Sequence, residues 1–187
     1  MKKNIKEKKD AHETLAYFLS ENSNKSFEET KNISDKFLKQ IQVKLEDTNI
    51  DIESIFNVLE SVDHNQPIYL KQLPFISLCE HHLLPFFGYV DIGIFPSKKI
   101  AGISKFSDLI AHLSNQLTLQ EKLTEKIGNT INDILECEGV FVRIKAKHLC
   151  SDMMNPKNSI SDIITTYSKG LYELDYSLRS EAILNLN

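Results

Sequence analysis

The sequence predicts an α+β fold, an antiparallel sheet with two long helices on one face, preceded by N-terminal helices. Three observations carry this. Helix formers with apolar residues at helical spacing fill residues 10–60, a strand-like texture begins after Pro67, and two helical runs then separate a first hairpin from a second. With 187 residues, 41% of them hydrophobic, the chain can bury a core without staples. The expected organisation is an N-terminal helical region over residues 1–65 and a sheet-bearing domain over residues 66–187.

In the first region Leu15, Phe18 and Leu19, then Ile33, Phe37, Ile41 and Leu45, keep helical spacing, and the polar residues 22–25 divide two helices. A further helical run covers residues 52–59. Strands are expected over residues 75–78 and 86–95, the second ended by Pro96. Ser104 opens a helix to about Leu113. Thr118 opens a longer one to Leu135, with Leu123, Ile127, Ile131 and Ile134 on one face, and it stops near Gly139. Val140, Val142, Ile144 and Ala146 then alternate with Phe141, Arg143, Lys145 and Lys147, the pattern of a half-buried strand leading into His148 and Cys150. A loop containing Asn155-Pro156 precedes a last strand over residues 160–167. The form of the C-terminal segment stays open.

A net charge of −4 and a pI near 5.9 leave no basic field of the kind that holds nucleic acid. The basic opening MKKNIKEKKD is followed by no apolar run, and no stretch approaches the roughly 18 apolar residues of a membrane span. The expectation is a cytoplasmic protein with neither nucleic acid nor membrane as partner. Three cysteines, odd in number and far apart, suit a reducing compartment rather than a disulfide framework.

The chemistry concentrates at Cys79-Glu80-His81-His82, which closes an apolar strand, and at His148-Leu149-Cys150, which closes another. Thiolate and imidazole are good zinc ligands, and the three-residue offset of Cys79 and His82 lets one turn of chain present both donors to one ion. Cys150 is the third expected ligand. Three protein ligands leave a fourth position for water, whose pKa zinc lowers from about 15.7 toward about 7. His148, two residues from Cys150, points the same way on an extended strand and can shuttle a proton beside the metal. Taken singly, a buried cysteine is more often a small hydrophobe and a lone histidine a satisfied polar group. Cys137, at a helix terminus, keeps that reading.

These motifs resemble those of GTP cyclohydrolase I, the zinc enzyme that opens the imidazole ring of GTP at C8 and begins pterin and tetrahydrofolate biosynthesis. The similarity extends to Gly102-Ile103-Ser104-Lys105, to Gln120-Glu121 and to a Thr165-Thr166 to Gly170 stretch. It implies the tunnelling fold, with zinc on Cys79, His82 and Cys150, His148 as acid/base and His81 as a second catalytic histidine that positions substrate. It also implies substrate contacts from Ser104, Lys105 and Lys36, and a guanine edge read by Gln120 and Glu121, where a carboxylate accepting two N–H donors discriminates strongly. For Glu121 a second explanation is equally physical, since Thr118-Leu119-Gln120-Glu121 spells a capping box. A ring-like homo-oligomer, a decamer, follows from the same resemblance.

The triphosphate end departs from the family pattern. Ile33, Asp108 and Met154 stand where the resemblance places arginines, while Lys36 and Lys105 remain. Planar guanidinium forks are the groups suited to clamping a triphosphate. At roughly 1.5–3 kcal/mol per charge-assisted contact, three losses weaken its binding about a thousandfold or more. Either other cations (Arg143, Lys145, Lys147, Lys157) replace them, or the substrate is a less charged guanine-type purine such as a nucleoside, free base or 8-oxoguanine, or zinc and fold persist without catalysis. The leading expectation is a zinc-dependent hydrolase that opens the imidazole ring of such a purine. The alternatives are GTP cyclohydrolase I proper, making dihydroneopterin triphosphate, and a non-catalytic zinc- or purine-binding regulatory homologue. A nitrile reductase related to the queuosine pathway is disfavoured by retention of all three metal ligands.

Overall fold

The structure, a computed structural model, describes residues 10–45, 51–56, 58–60, 64–154 and 162–187. It divides into two compact units, Met1–Glu46 and Asp47–Asn187.

The first unit is a helical hairpin of α1 (Ala11–Glu21) and α2 (Phe27–Leu45), separated by the polar turn that the sequence marks. Asp10 caps α1 by accepting from the His12 amide at 3.0 Å. Ser26 and Glu29 form a reciprocal capping box on α2, the Ser26 amide donating to Glu29 Oε2 at 2.9 Å and the Glu29 amide to Ser26 Oγ at 3.3 Å. The helices meet through small residues. Ala16, Thr30 and Ser34 are buried, and Ser34 Oγ donates across to the His12 carbonyl at 2.7 Å. The apolar spacing predicts a core stripe instead, yet Phe18, Ile33 and Phe37 lie exposed on these helices. Close backbone approach at Ala16 and Ser34 wins the interface that bulky side chains would hold apart.

The second unit is built on a five-stranded sheet of order β5-β2-β3-β6-β7. Its long strands are β2 (Ile68–Cys79), β3 (Pro85–Phe95), β6 (Gly139–His148) and β7 (Ile163–Gly170), each antiparallel to its neighbours, and the two-residue β5 (Leu117–Thr118) lies parallel to the end of β2. Two helices, α4 (Ile103–Ser114) and α5 (Gln120–Leu135), cover one face. Phe106, Leu109, Ile110 and Leu113 from α4 and Leu123, Ile127, Ile131 and Leu135 from α5 pack on Val140, Val142, Ile144 and Ala146 of β6. The helix α3 (Ile52–Phe56) adds Phe56 edge-on to Phe106 at 5.4 Å, and the short β1 (Leu59–Glu60) pairs with β4 (Lys99–Ile100). The α+β class and the two-helix face are as the sequence predicts.

Strand alternation sends Phe141 and Arg143 to the opposite face. There α7 (Leu171–Leu174) and α8 (Tyr176–Leu186), whose form the sequence leaves open, bury Phe141 under Tyr172, Ala182 and Leu186. β2 begins seven residues before the expected Phe75, because a bulge between Leu70 and Leu73 lets the chain keep pairing with β3 through Gln72, held at φ 57°. The Gln72 amide donates to Asp91 Oδ1 at 2.8 Å. The last strand starts at Ile163; residues 160 and 161 of the expected strand, like the Asn155-Pro156 loop, lie outside the described residues. At the end of β7, Gly170 adopts φ +65° with a would-be Cβ only 2.2 Å from the Glu138 carbonyl oxygen, so glycine is required there.

Candidate active site

The site begins with the turn that joins β2 to β3. The Leu83 amide donates to the Cys79 carbonyl and the Cys79 amide to the Leu84 carbonyl, both at 2.9 Å, and Leu83 takes φ 58° to close the loop. This single turn brings the donors of Cys79 and His82 to one side, as their spacing predicts. Cys150 completes the group: one donor atom from each of Cys79, His82 and Cys150 lies within 4.8 Å of the other two. Cys79 is buried, Cys150 half-buried and His82 exposed, so the group opens outward through the imidazole. His81 is also exposed, its ring 5.9 Å from that of His82.

Cys150 reaches the group by a route other than the one expected. β6 ends at His148, and Cys150 sits in a short helix α6 (Leu149–Met154), so it does not share an extended strand with His148. A helical residue turns its side chain back along the chain, which brings the thiol toward Cys79. Burial pushes the Cys150 thiol above its ordinary pKa, and the adjacent Cys79 pushes it further. Two neighbouring sulfurs beside an imidazole form a donor set that a soft divalent cation satisfies, and zinc fits it. By contrast, burial carries the isolated Cys137 thiol to about 12, which keeps it a packing residue.

Two strand registers bring the other groups here. The pairing of Cys79 with Thr118 sets the start of α5 against the ligand turn, where Lys122 Nζ meets Glu80 Oε1 at 2.8 Å and the Glu80 amide donates to the Thr118 carbonyl. The pairing of Phe86 with His148 brings the end of β6 to the same place, and the His148 ring stacks on Phe86 at 4.8 Å and 12°. His148 Nε2 lies 2.7 Å from Gln120 Oε1. Burial lowers the His148 pKa, opposed by the nearby Glu121 carboxylate.

Gln120, expected at the guanine edge, has its side chain buried and engaged: the two hydrogens of Nε2 are shared among the Ile144 and Ile163 carbonyls at 3.1 Å and Thr165 Oγ1 at 3.0 Å. A purine would have to displace these bonds to use it. The capping box at Thr118 is not made. Leu119 is the N-cap with no side-chain cap bond, and Thr118 Oγ1 donates to the Leu119 carbonyl instead. Thr118 belongs to β5, so its backbone is committed to the sheet and Glu121 is left without a capping role.

At the other end, Ser104 and Lys105 stand in the first turn of α4, and Lys105 Nζ meets Asp108 Oδ2 at 3.4 Å. Met154 is exposed at the end of α6. Lys36 is exposed on α2, in the other unit. Of the cations considered as replacements, Arg143 is committed elsewhere: it binds Asp91 Oδ2 through Nε and Nη2 at 3.0 and 2.8 Å, Asn187 Oδ1 at 2.7 Å and the Leu186 carbonyl. Lys145 pairs with Asp162 at 3.4 Å, Lys147 is exposed on the same strand, and Lys157 lies outside the described residues. Sequence reasoning missed the contact between Gln120 and His148, since nothing local joins residues 28 apart; the nearness of Thr165-Thr166 in the shared motif set was the only signal.

Among known proteins, the family model described as GTP cyclohydrolase I matches residues 8–187. A protein of Fusobacterium nucleatum named GTP cyclohydrolase 1 is 42% identical over 135 residues, 72% of each chain. A Streptococcus suis protein of the same name is 37% identical over 134 residues, covering 71% of this chain and 72% of its own. A crystal structure of the archaeosine synthase QueF-Like in the apo form covers 58% of this chain and 97% of its own at a TM-score of 0.47 and 14% identity, a likeness too partial to bear on the argument.

Proposed function

The chain belongs to the GTP cyclohydrolase I family, and from that premise we propose that it is a zinc-dependent hydrolase opening the imidazole ring of a guanine-type purine that carries less charge than GTP. The convergence of Cys79, His82 and Cys150 within 4.8 Å carries the hydrolase reading. Zinc, when bound by these three residues, supplies the Lewis acidity that makes water a nucleophile at neutral pH. His148 exchanges protons with the opening ring, and its lowered pKa keeps it a base at neutral pH. His81 positions the substrate from the exposed side of the ligand turn. Glu121, free of any capping duty, offers its carboxylate to the two N–H donors of the guanine edge.

The reading of a less charged substrate rests on the Lys105–Asp108 pair. A carboxylate beside the remaining lysine offsets the charge that a triphosphate would seek, and it stands where the resemblance places an arginine. GTP itself is the second reading, favoured by the names of the relatives at 42% and 37% identity. Assembly into a ring-like homo-oligomer, a decamer, belongs to the same proposal. It is supported by β7 being the terminal strand of the sheet. A monomer by light scattering would count against it.

The test incubates the zinc-loaded protein with GTP, guanosine, guanine and 8-oxoguanine while following ultraviolet absorbance. Faster turnover of one of the uncharged purines than of GTP is expected. Preference for GTP would overturn the substrate reading, and binding without turnover of any would overturn the hydrolase reading.

A further inference from the structure

The side-chain amide of Gln120 is the most constrained polar group near the metal ligands, and its constraints decide the state of the histidine it touches. Its nitrogen faces three acceptors, the carbonyls of Ile144 and Ile163 and Thr165 Oγ1. Flipping the amide would turn its oxygen onto two carbonyl oxygens that have no hydrogen to give, so the orientation is set by the partners. The same holds one bond further out. Thr124 Oγ1 donates its one hydrogen to the Gln120 carbonyl at 2.7 Å, so Thr165 Oγ1, 2.6 Å away, must donate to Thr124 and receive from Gln120. Gln120, Thr124 and Thr165 therefore form a ring whose bond directions are set, with the two hydrogens of Nε2 shared among its three acceptors.

With Nε2 of Gln120 committed, Oε1 is what faces His148 Nε2 at 2.7 Å. An amide oxygen only accepts. The imidazole must donate from Nε2, in its neutral form and in its cationic form alike. Stacking on the buried Phe86 and the Phe86–His148 register remove the freedom to rotate away from this bond. We propose that Gln120 is a positioning residue whose carboxamide, locked by Ile144, Ile163 and Thr165, fixes His148 as the Nε2–H tautomer and so leaves Nδ1 as the ring's acceptor. The inference rests on the reading of His148 as the acid/base; it moves Gln120 from reading the substrate to holding the base and gives Thr165 a purpose.

The test is ¹⁵N NMR of the zinc-loaded protein labelled at histidine, at about pH 8 where the ring is neutral, with the His148 resonances assigned by their loss in His148→Gln. The wild-type spectrum is expected to show a protonated Nε2 and an unprotonated Nδ1. The opposite tautomer would overturn the proposal, whether or not any purine is turned over. Gln120→Met, nearly isosteric but without an acceptor, is expected to keep its zinc and to give mixed tautomers. On whichever purine the turnover assay identifies, kcat should fall about 10- to 100-fold with KM changed less than about twofold. Gln120→Glu keeps an acceptor toward Nε2 but sets its other oxygen against the Ile144 and Ile163 carbonyls, so it should recover the tautomer and part of kcat only as the protonated acid, with the recovery lost as pH rises. A Gln120→Met protein that keeps its zinc and the pure Nε2–H tautomer would overturn the proposal. Should neither variant fold, the wild-type spectrum alone decides. Failure to turn over any purine together with the expected tautomer would sink the assignment of function and leave the geometry standing.

Discussion

The region around Cys79 and His148 and the first turn of α4, which the proposed function joins, are built from different materials. Around Cys79 and His148 the frame is set by sheet register, Cys79 against Thr118, Phe86 against His148, and Ile144 against Thr165, with His82 on the turn after β2 and Cys150 in α6. On α4, Lys105 and Asp108 sit on one turn of the helix with their side chains 36% and 56% exposed. Changing a residue of the first kind disturbs the fold. Exchanging the exposed Asp108 costs it almost nothing, since surface ion pairs contribute about 0–1 kcal/mol. On the proposed function, selectivity for the charged part of a substrate can drift while the residues of the ligand group and His148 stay in place.

The largest effect should come from the ligand group. Cys150→Ala removes one of three donors, and the affinity for zinc, measured by competition with a chromophoric chelator, is expected to fall more than about 100-fold. Retention of wild-type affinity would show that the ion sits elsewhere.

Next in size is a contrast of two ion pairs. Asp91→Ala strands Arg143, whose side chain is 12% exposed, and should cost about 3–5 kcal/mol in urea unfolding. Asp108→Ala should stay within about 1 kcal/mol. Equal costs would erase the distinction between a pair buried on register-matched strands and one exposed on a helix turn.

Asp108→Arg sharpens the same contrast on the ligand side. It frees Lys105 and adds a guanidinium, worth roughly 1.5–3 kcal/mol per new charge-assisted contact, so affinity for GTP should rise about 10- to 150-fold while that for guanosine stays unchanged. Isothermal titration of both ligands measures this, and a parallel rise for guanosine would place the residue away from the phosphates.

What could be read from the sequence follows the same division. The convergence of Cys79 and His82 was legible because one turn of chain holds both, and the two-helix face because apolar periodicity on α4 and α5 is a local property. Cys150 was legible as a ligand but not its helix, since the strand pattern through Ala146 gives no sign that Leu149 begins a new element. The bond from Gln120 to His148 needs α5, β6 and β7 in register at once, and no local signal carries that. In α1 and α2 the apolar spacing misled, because Ala16 and Ser34 pack closer than Phe18 and Phe37 could.

The smallest effects separate two sequences that look alike. Ser26-Phe27-Glu28-Glu29 and Thr118-Leu119-Gln120-Glu121 both spell a capping box, but only the first is made. The Ser26 amide holds the Glu29 carboxyl below its ordinary pKa, with the Ser26 hydroxyl and Lys25 adding to the effect. A depressed carboxylate contributes stability that is present above the pKa of the unfolded chain and lost as pH falls through the folded value. A lower protection factor for the Ser26 amide on acidification below about pH 4.5 is therefore expected, and Glu29→Gln should show it already at neutral pH. Glu121→Gln should leave stability within about 0.5 kcal/mol, because no cap is lost. Its effect should appear instead as about a tenfold or greater fall in affinity for guanosine, the worth of one charge-assisted hydrogen bond. If Glu121→Gln loosened the start of α5 and left guanosine binding intact, the carboxylate would be structural and the guanine edge would have to be read by another residue.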